Sequence, residues 1–249
     1  ALITVVFPDG HQDLLFTGRT FHAGISLINQ FNLSPTAAHC IQPKSSYKPI
    51  LPRDVFALFG AHDLSDPYET EKIIVSPKQI YVHDDWNPHN SNYDADISML
   101  EFIRITLFST ITHSAYVQPI CFWDLPTQPS KSRGVVAGWG KSEELTKSHE
   151  NVPKQIEVSI QTNEDCFLNT QSLVAMSSKR TFCAGLQNGS GVCFGDSSSG
   201  LFVKVNSIYY LKGIVSSSLL TAEKICDVSR NAVYTNIFSF RDWIAEITQ

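Results

Sequence analysis

Residues 192–202 read VCFGDSSSGLF. A Gly-Asp-Ser turn, Gly195 to Ser197, interrupts a short apolar run and leads through two more serines and Gly200 into LFVKV. Asn206-Ser207 then splits LFVKV from IYYLKGIVS, and a two-residue polar break between such segments reads as a β-hairpin. Segments of similar length recur upstream: VFALFGAHDL (55–64), DISMLEFI (96–103), GVVAGWG (134–140) and QIEVSI (155–160). Each carries branched or aromatic residues between turn formers. Only the closing FSFRDWIAEITQ has helical spacing, with Phe240, Trp243, Ile244 and Ile247 on one face. The predicted class is all-β with a C-terminal helix.

With 249 residues, 43% of them hydrophobic, the chain can bury a large core, as one large β unit or two fused small ones. The Pro-rich stretch PICFWDLPTQPSKSR (119–133) is the predicted link between two halves. No internal repeat is present. The net charge is −5 and the 19 Lys and Arg residues are scattered, so there is no nucleic-acid footprint. No apolar run has the length of a membrane span. The opening ALITVVFPDG lacks a methionine, a basic flank and a cleavage pattern, so it is not read as a secretory signal, and the chain is expected to begin inside a longer protein. Six cysteines (Cys40, Cys121, Cys166, Cys183, Cys193, Cys226) form no C-x-x-C pair, which favours disulfides over a zinc site. The sequons at Asn32 and Asn188 suit an extracellular glycoprotein, although Pro35 weakens the first.

Three segments carry chemistry: PTAAHC with His39, YDADISML with Asp96, and GDSSSG with Ser197. A serine hydroxyl is a weak nucleophile that needs a base to take its proton. An imidazole base in turn needs an acid to fix its tautomer and stabilise its charged form. A lone histidine, aspartate or serine is usually packed or solvated, so the weight lies on the three contexts together. His83 and His89, with Asp84 and Asp85, lack a metal-ligand spacing and read as a solvated loop, and no calcium is claimed for the acidic run Asp63, Asp66, Glu69 and Glu71. Trp139, Tyr209 and Tyr210 read as packing residues.

TAAHC, D-I-x-x-L, GWG, GDS and a closing Y-T-N…F-x-x-W-I occur in one order along nearly the whole chain. In this the sequence resembles the trypsin and chymotrypsin-like serine proteases, and GLFVKVNSIYYLKGIVSSSL is most similar to arthropod modular proteases that start immune cascades. The resemblance implies a single peptidase domain over 1–249, truncated at its N-terminus. It implies two six-stranded antiparallel β-barrels, about 1–117 and about 118–249 with the C-terminal helix. His39 and Asp96 would come from the first barrel and Ser197 from the second. Gly195 and Ser197 would supply the backbone N–H pair of the oxyanion hole. Asp196 would turn inward to an activation ion pair with a free α-amino group. Cys166 would pair with Cys183 and Cys193 with Cys226. Cys40 would lack its family partner, whose place falls near Ala23, and Cys121 would bridge to an upstream regulatory chain.

Several positions depart from the family. Gly-Gly-Pro usually follows the nucleophile, whereas this chain has Ser198-Ser199-Gly200, and a Cβ at Ser198 is a strain if that position needs positive φ. Gly191 stands where trypsin has its pocket aspartate, and Ala232 and Ser218 stand where it has glycine. With Ser216 and Ser217 these imply a neutral substrate pocket that takes a medium aliphatic residue. Ser217 also replaces a tryptophan wall common in relatives. The expected function is a secreted serine endopeptidase of an innate-immune cascade, acting on protein substrates through an acyl-enzyme. No cofactor, metal, nucleic acid or membrane partner is implied. The expectation includes poor activity for this chain alone, made as a zymogen and lacking the partner of Asp196. The alternative is an inactive homologue serving as a binding or cofactor module; Ser198, the lost tryptophan and the orphan Cys40 favour it, and the three retained catalytic residue types oppose it.

Overall fold

A computed structural model of the chain describes residues 3–6, 22–25, 33–43, 46, 48–90, 92–103, 117–123, 132–141, 150–186 and 189–248. The first half supplies seven short strands: β1 (Ile3–Val6), β2 (His22–Ile25), β3 (Leu33–Thr36), β4 (Phe56–Phe59), β5 (Ile73–Val75), β6 (Gln79–Val82) and β7 (Ser98–Glu101). They form two antiparallel sheets, in the orders β2-β1-β4-β5 and β3-β7-β6. The segment expected as a strand over 55–64 stops at Phe59 because Gly60 takes a φ of 71° and the chain turns.

The second half supplies β8 (Cys121–Phe122), β9 (Arg133–Gly138), β10 (Lys154–Gln161), β11 (Thr181–Gly185), β12 (Gly200–Val205), β13 (Ile208–Ser217) and β14 (Ala232–Asn236). The order β12-β9-β10-β11-β14-β13 closes when β13 pairs back onto β12, giving a six-stranded antiparallel barrel; β8 adds to β13 in parallel. Closure leaves the six strands without a free edge. Between β12 and β13, Asn206 (φ 47°) and Ser207 (φ 68°) form the predicted hairpin turn. Two consecutive left-handed residues match the right-handed twist of the strands they join. The fold is chymotrypsin-like: mostly strands, few helices and a short helix at the end.

Three apolar clusters hold this together. Val55, Ala57, Phe59, Leu100 and Phe102 fill the first half, and Val136, Val158, Ile160, Leu201 and Tyr234 fill the barrel of the second. The third is shared. Leu33, Ala37, Ile97 and Met99 of the first half pack on Leu211 and Ile214 of β13 and on Ile237, Phe240 and Ile244 near the C-terminus. The last three belong to a 3₁₀ turn (Ile237–Phe240) and the C-terminal helix (Arg241–Ile247), which buries Ile244 where the helical periodicity placed it. Each large side chain buried in this way stabilises by roughly 1.5–3 kcal/mol. The described part of the Pro-rich link is itself packed, with Trp123 in the second cluster. The shared cluster is therefore a rigid floor for whatever the two halves place side by side.

Candidate active site

Helix α1 (Ala38–Ile41) is a single turn following β3, capped by Ala37 in an extended conformation with no side-chain cap of its own. Its second residue is His39. The backbone N–H of His39 donates to Asp96 Oδ1 at 2.8 Å, and His39 Nδ1 lies 2.8 Å from Asp96 Oδ2. Asp96 sits just before β7, after Ala95, which has a φ of 54°. Asp96 is fully buried, while the His39 side chain stays 17% exposed. From the other half, the Ser216 hydroxyl donates to Asp96 Oδ2 at 2.6 Å and Thr235 Oγ1 donates to the Asp96 carbonyl at 3.0 Å. A carboxylate facing Nδ1 keeps the proton there and turns the Nε2 lone pair away from Asp96. Burial works against charge on the imidazole, but the Asp96 carboxylate and the adjacent Cys40 outweigh it, so His39 titrates well above the ordinary histidine range.

The Ser197 loop lies in the second half, ahead of β12. Gly195 has a φ of 92°, a left-handed conformation in which glycine carries no Cβ penalty. Around it the Asp196 N–H bonds to the Cys193 carbonyl, that of Ser198 to Val215 and that of Ser199 to Asp196. The N–H groups of Gly195 and Ser197 have no hydrogen-bond partner among the described residues. Ser197 is partly exposed, and no hydrogen bond joins its hydroxyl to His39 among the described residues. The structure thus brings His39 and Asp96 into contact and leaves Ser197 free of both.

Asp196 points inward. Its Oδ1 accepts the Gly140 N–H and its Oδ2 the Cys193 N–H, each at 3.0 Å. Burial pushes its carboxyl up to about 6, against the two N–H donors, which lower it. No cation pairs with it among the described residues.

Cys193–Cys226 and Cys166–Cys183 are the disulfides, the two pairs that the resemblance implied. Cys40 is a free, half-buried thiol and Cys121 a free, exposed one. Gly191 lies against Val228: a Cβ added at Gly191 would come within 3.2 Å of the Val228 Cβ. Nothing in the sequence singled out Val228, which follows the segment 219–225. That segment is an excursion closed by the Leu220–Cys226 bridge and by Asp227 N–H to the Leu219 carbonyl. Ser217 and Ser218 are half-buried at the end of β13 and Ala232 is buried at the start of β14, whereas the Ser216 hydroxyl is directed to Asp96. His83 packs on Phe240 and Trp243. The acidic run is occupied by Lys72, whose Nζ donates to the carbonyls of Asp63 and Asp66 and lies 3.5 Å from Glu69. Asn32 and Asn188 are outside the described residues.

A strand-built fold whose halves place an Asp-held histidine and a Gly-Asp-Ser turn at their joint has the architecture of the serine hydrolases. The profile of the Trypsin family matches residues 11–244, and the chain belongs to that family of serine proteases. It is 28% identical to serine protease gd of Drosophila melanogaster, over 92% of this chain and 48% of that protein. It is 29% identical to CLIP domain-containing serine protease B4 of Anopheles gambiae, over 91% of this chain and 62% of the relative. It is 27% identical to the clotting factor G beta subunit of Tachypleus tridentatus, over 92% of this chain and 71% of the relative. The chain therefore spans about half to two thirds of the first two of these proteins.

Proposed function

We propose that this chain is the peptidase unit of a secreted serine endopeptidase that cleaves protein substrates in a proteolytic immune cascade. The observation that carries the reading is the hold of Asp96 on His39 at two points, which fixes the imidazole with Nε2 available as a base. Ser197 would attack the scissile carbonyl as His39 takes its proton, giving a tetrahedral adduct; His39 would then give that proton to the amine nitrogen as the C–N bond breaks, leaving an acyl-enzyme that water hydrolyses. The unengaged N–H groups of Gly195 and Ser197 would receive the developing oxyanion, a role worth about a hundredfold to a thousandfold per donor. Gly191, Val228 and Ala232 offer no charge to a side chain entering the pocket, which favours a neutral aliphatic residue. Asp196 would need a cation to complete its loop, an α-amino group released by zymogen cleavage being the natural one. The exposed Cys121 thiol suits a bridge to an upstream chain, and the names of the arthropod relatives support the cascade setting.

The test is labelling of the activated protein with a fluorophosphonate and turnover of peptide substrates, with Ser197→Ala as control. Rapid labelling that Ser197→Ala abolishes is expected. Turnover undiminished by Ser197→Ala would remove Ser197 as nucleophile. The second reading, an inactive homologue acting as a binding module, draws on the missing Ser197–His39 hydrogen bond and the unpaired Asp196; absence of labelling after activation would select it.

A further inference from the structure

The residue after the candidate nucleophile makes a contact that a glycine there cannot. Ser198 has a φ of 68° and is fully buried, so its Cβ sits in the strained left-handed region that Ser enters at a cost. Its hydroxyl crosses to the other half of the molecule. Ser198 Oγ accepts the backbone N–H of Ala37 at 2.7 Å, lies 2.8 Å from Thr36 Oγ1, and donates to Cys40 Sγ at 3.5 Å. In the 2.8 Å contact with Thr36 either hydroxyl can be the donor. The oxygen thus has three polar partners, the capacity of a hydroxyl.

These three partners bracket His39. Thr36 ends β3, Ala37 is the N-cap of α1 and Cys40 follows the histidine. Ala37 is fully buried and has no side-chain cap, and among the described residues its N–H has no partner other than Ser198. A buried N–H without a partner is costly. The turn that carries His39 is thus tied down twice. Asp96 holds the N–H and ring of His39, and Ser198 holds the residues on either side. Because Ser198 is bonded covalently to Ser197 and its own N–H is fixed to Val215, the second tie links the imidazole-bearing turn to the loop of the nucleophile. Cys40 has no disulfide to do this.

We propose that Ser198 is a positioning residue that sets the distance and angle between His39 and Ser197 through its hydroxyl, so that the departure from glycine is a working part of the site. This rests on the endopeptidase reading for its effect on rate, but not for its effect on His39. The test compares Ser198→Gly, which keeps the left-handed backbone and removes only the side chain, with Ser198→Ala, which keeps the Cβ. Three quantities are measured: kcat and KM on a peptide substrate, the thermal midpoint, and the proton resonance of His39 Nδ1–H facing Asp96. In both variants kcat should fall about tenfold to a hundredfold, the span expected for losing a hydrogen bond to a buried backbone group. KM should hold, both variants should melt below the wild type, Ser198→Gly by less because it relieves the left-handed strain as it removes the partner of the Ala37 N–H, and the His39 signal should shift or broaden. A His39 signal unmoved in Ser198→Gly, or a turnover equal to or faster than wild type, overturns the proposal. If no form of the protein turns over substrate while the signal still moves, the coupling stands and the endopeptidase reading fails.

Discussion

A Cβ placed on Gly140 would lie 2.2 Å from the carboxyl carbon of Asp196: the glycine that ends the GWG segment is the floor on which the Asp196 carboxylate rests. Gly138 repeats the fit, with its Cβ position 2.4 Å from Oδ1. Such an enclosure admits two N–H donors and little water, which is why the carboxyl rises from 3.8 to about 6. A raised pKa means that the folded protein favours the protonated acid. Its contribution to stability is full below pH 3.8 and is lost as pH rises through about 6. A displacement of roughly two pH units corresponds to about 3 kcal/mol. Urea unfolding should therefore show wild type losing about that much stability, relative to Asp196→Asn, between pH 3.5 and 7.5. Pairing the carboxylate with an amino group should erase the difference, and a pH-independent gap between the two proteins would contradict the enclosure.

Arg180 provides an ionic fastening between the halves. Its Nε and Nη2 donate to the two oxygens of Asp94, at 3.0 and 2.5 Å, and its Nη1 donates to Asp85 at 2.6 Å. The guanidinium also lies 5.3 Å from the centre of the Phe240 ring. A planar fork of this kind is poorly replaced by lysine. With the guanidinium 26% exposed, Arg180→Ala should cost about 1–3 kcal/mol. Arg133→Ala, whose bond to Glu157 is 78% and 64% exposed, should cost no more than a few tenths of a kcal/mol. Chemical denaturation of both variants decides this, and equal costs would show that the fastening is incidental.

The pH profile of acylation should report on His39. The group is a base only when neutral, so its raised pKa places the rising limb of the profile well above pH 6.5. The same shift stabilises the fold fully below pH 6.5, and that contribution is lost as pH climbs through the folded pKa. Asp96→Asn removes the attraction that outweighs burial, so the limb should move to lower pH. The rate on its plateau should fall by roughly 10⁴-fold, because the tautomer is no longer fixed. A limb that stays in place would mean that Asp96 does not govern the titration.

The strands with clear patterns were legible, as was the final helix, because alternation and helical spacing there match burial: β9 alternates between buried and more accessible positions, and Ile244 is buried. Lys212 was not. It lies at the irregularity where β13 shifts register against β12, so one extra residue turns inward, and a lysine ends fully buried 4.5 Å from the Trp123 ring, its ammonium pushed down to about 8 by burial. A bulge leaves no mark on a pattern of polar and apolar residues. The Gly-Asp-Ser turn and the His39 context could be read because short-range chemistry is written in consecutive residues. The roles of Ser198 and Val228 could not, since each depends on a partner brought near by folding: Ser198 reaches Ala37 across 161 positions.

Val228 makes the specificity reading testable. A trypsin-like preference would require a carboxylate at Gly191, but the Gly191 Cβ position is already within 3.2 to 3.3 Å of the Val228 Cα, Cβ and Cγ1. Gly191→Asp alone should therefore strain the floor of the pocket, and the buried charge, without room for a basic side chain, should remain unpaired. The Val228 Cβ and Cγ1 are the side-chain part of that block. Gly191→Asp combined with Val228→Gly should open the space and admit arginine or lysine beside the new carboxylate. The expected outcome is that wild type cleaves peptides after aliphatic residues, the single variant is impaired on every substrate, and the double variant gains cleavage after basic residues of at least about tenfold over wild type, the yield of 1.4 kcal/mol of new charge pairing. Profiling all three on one peptide library checks it, and basic specificity in the single variant would show that Val228 does not set the floor.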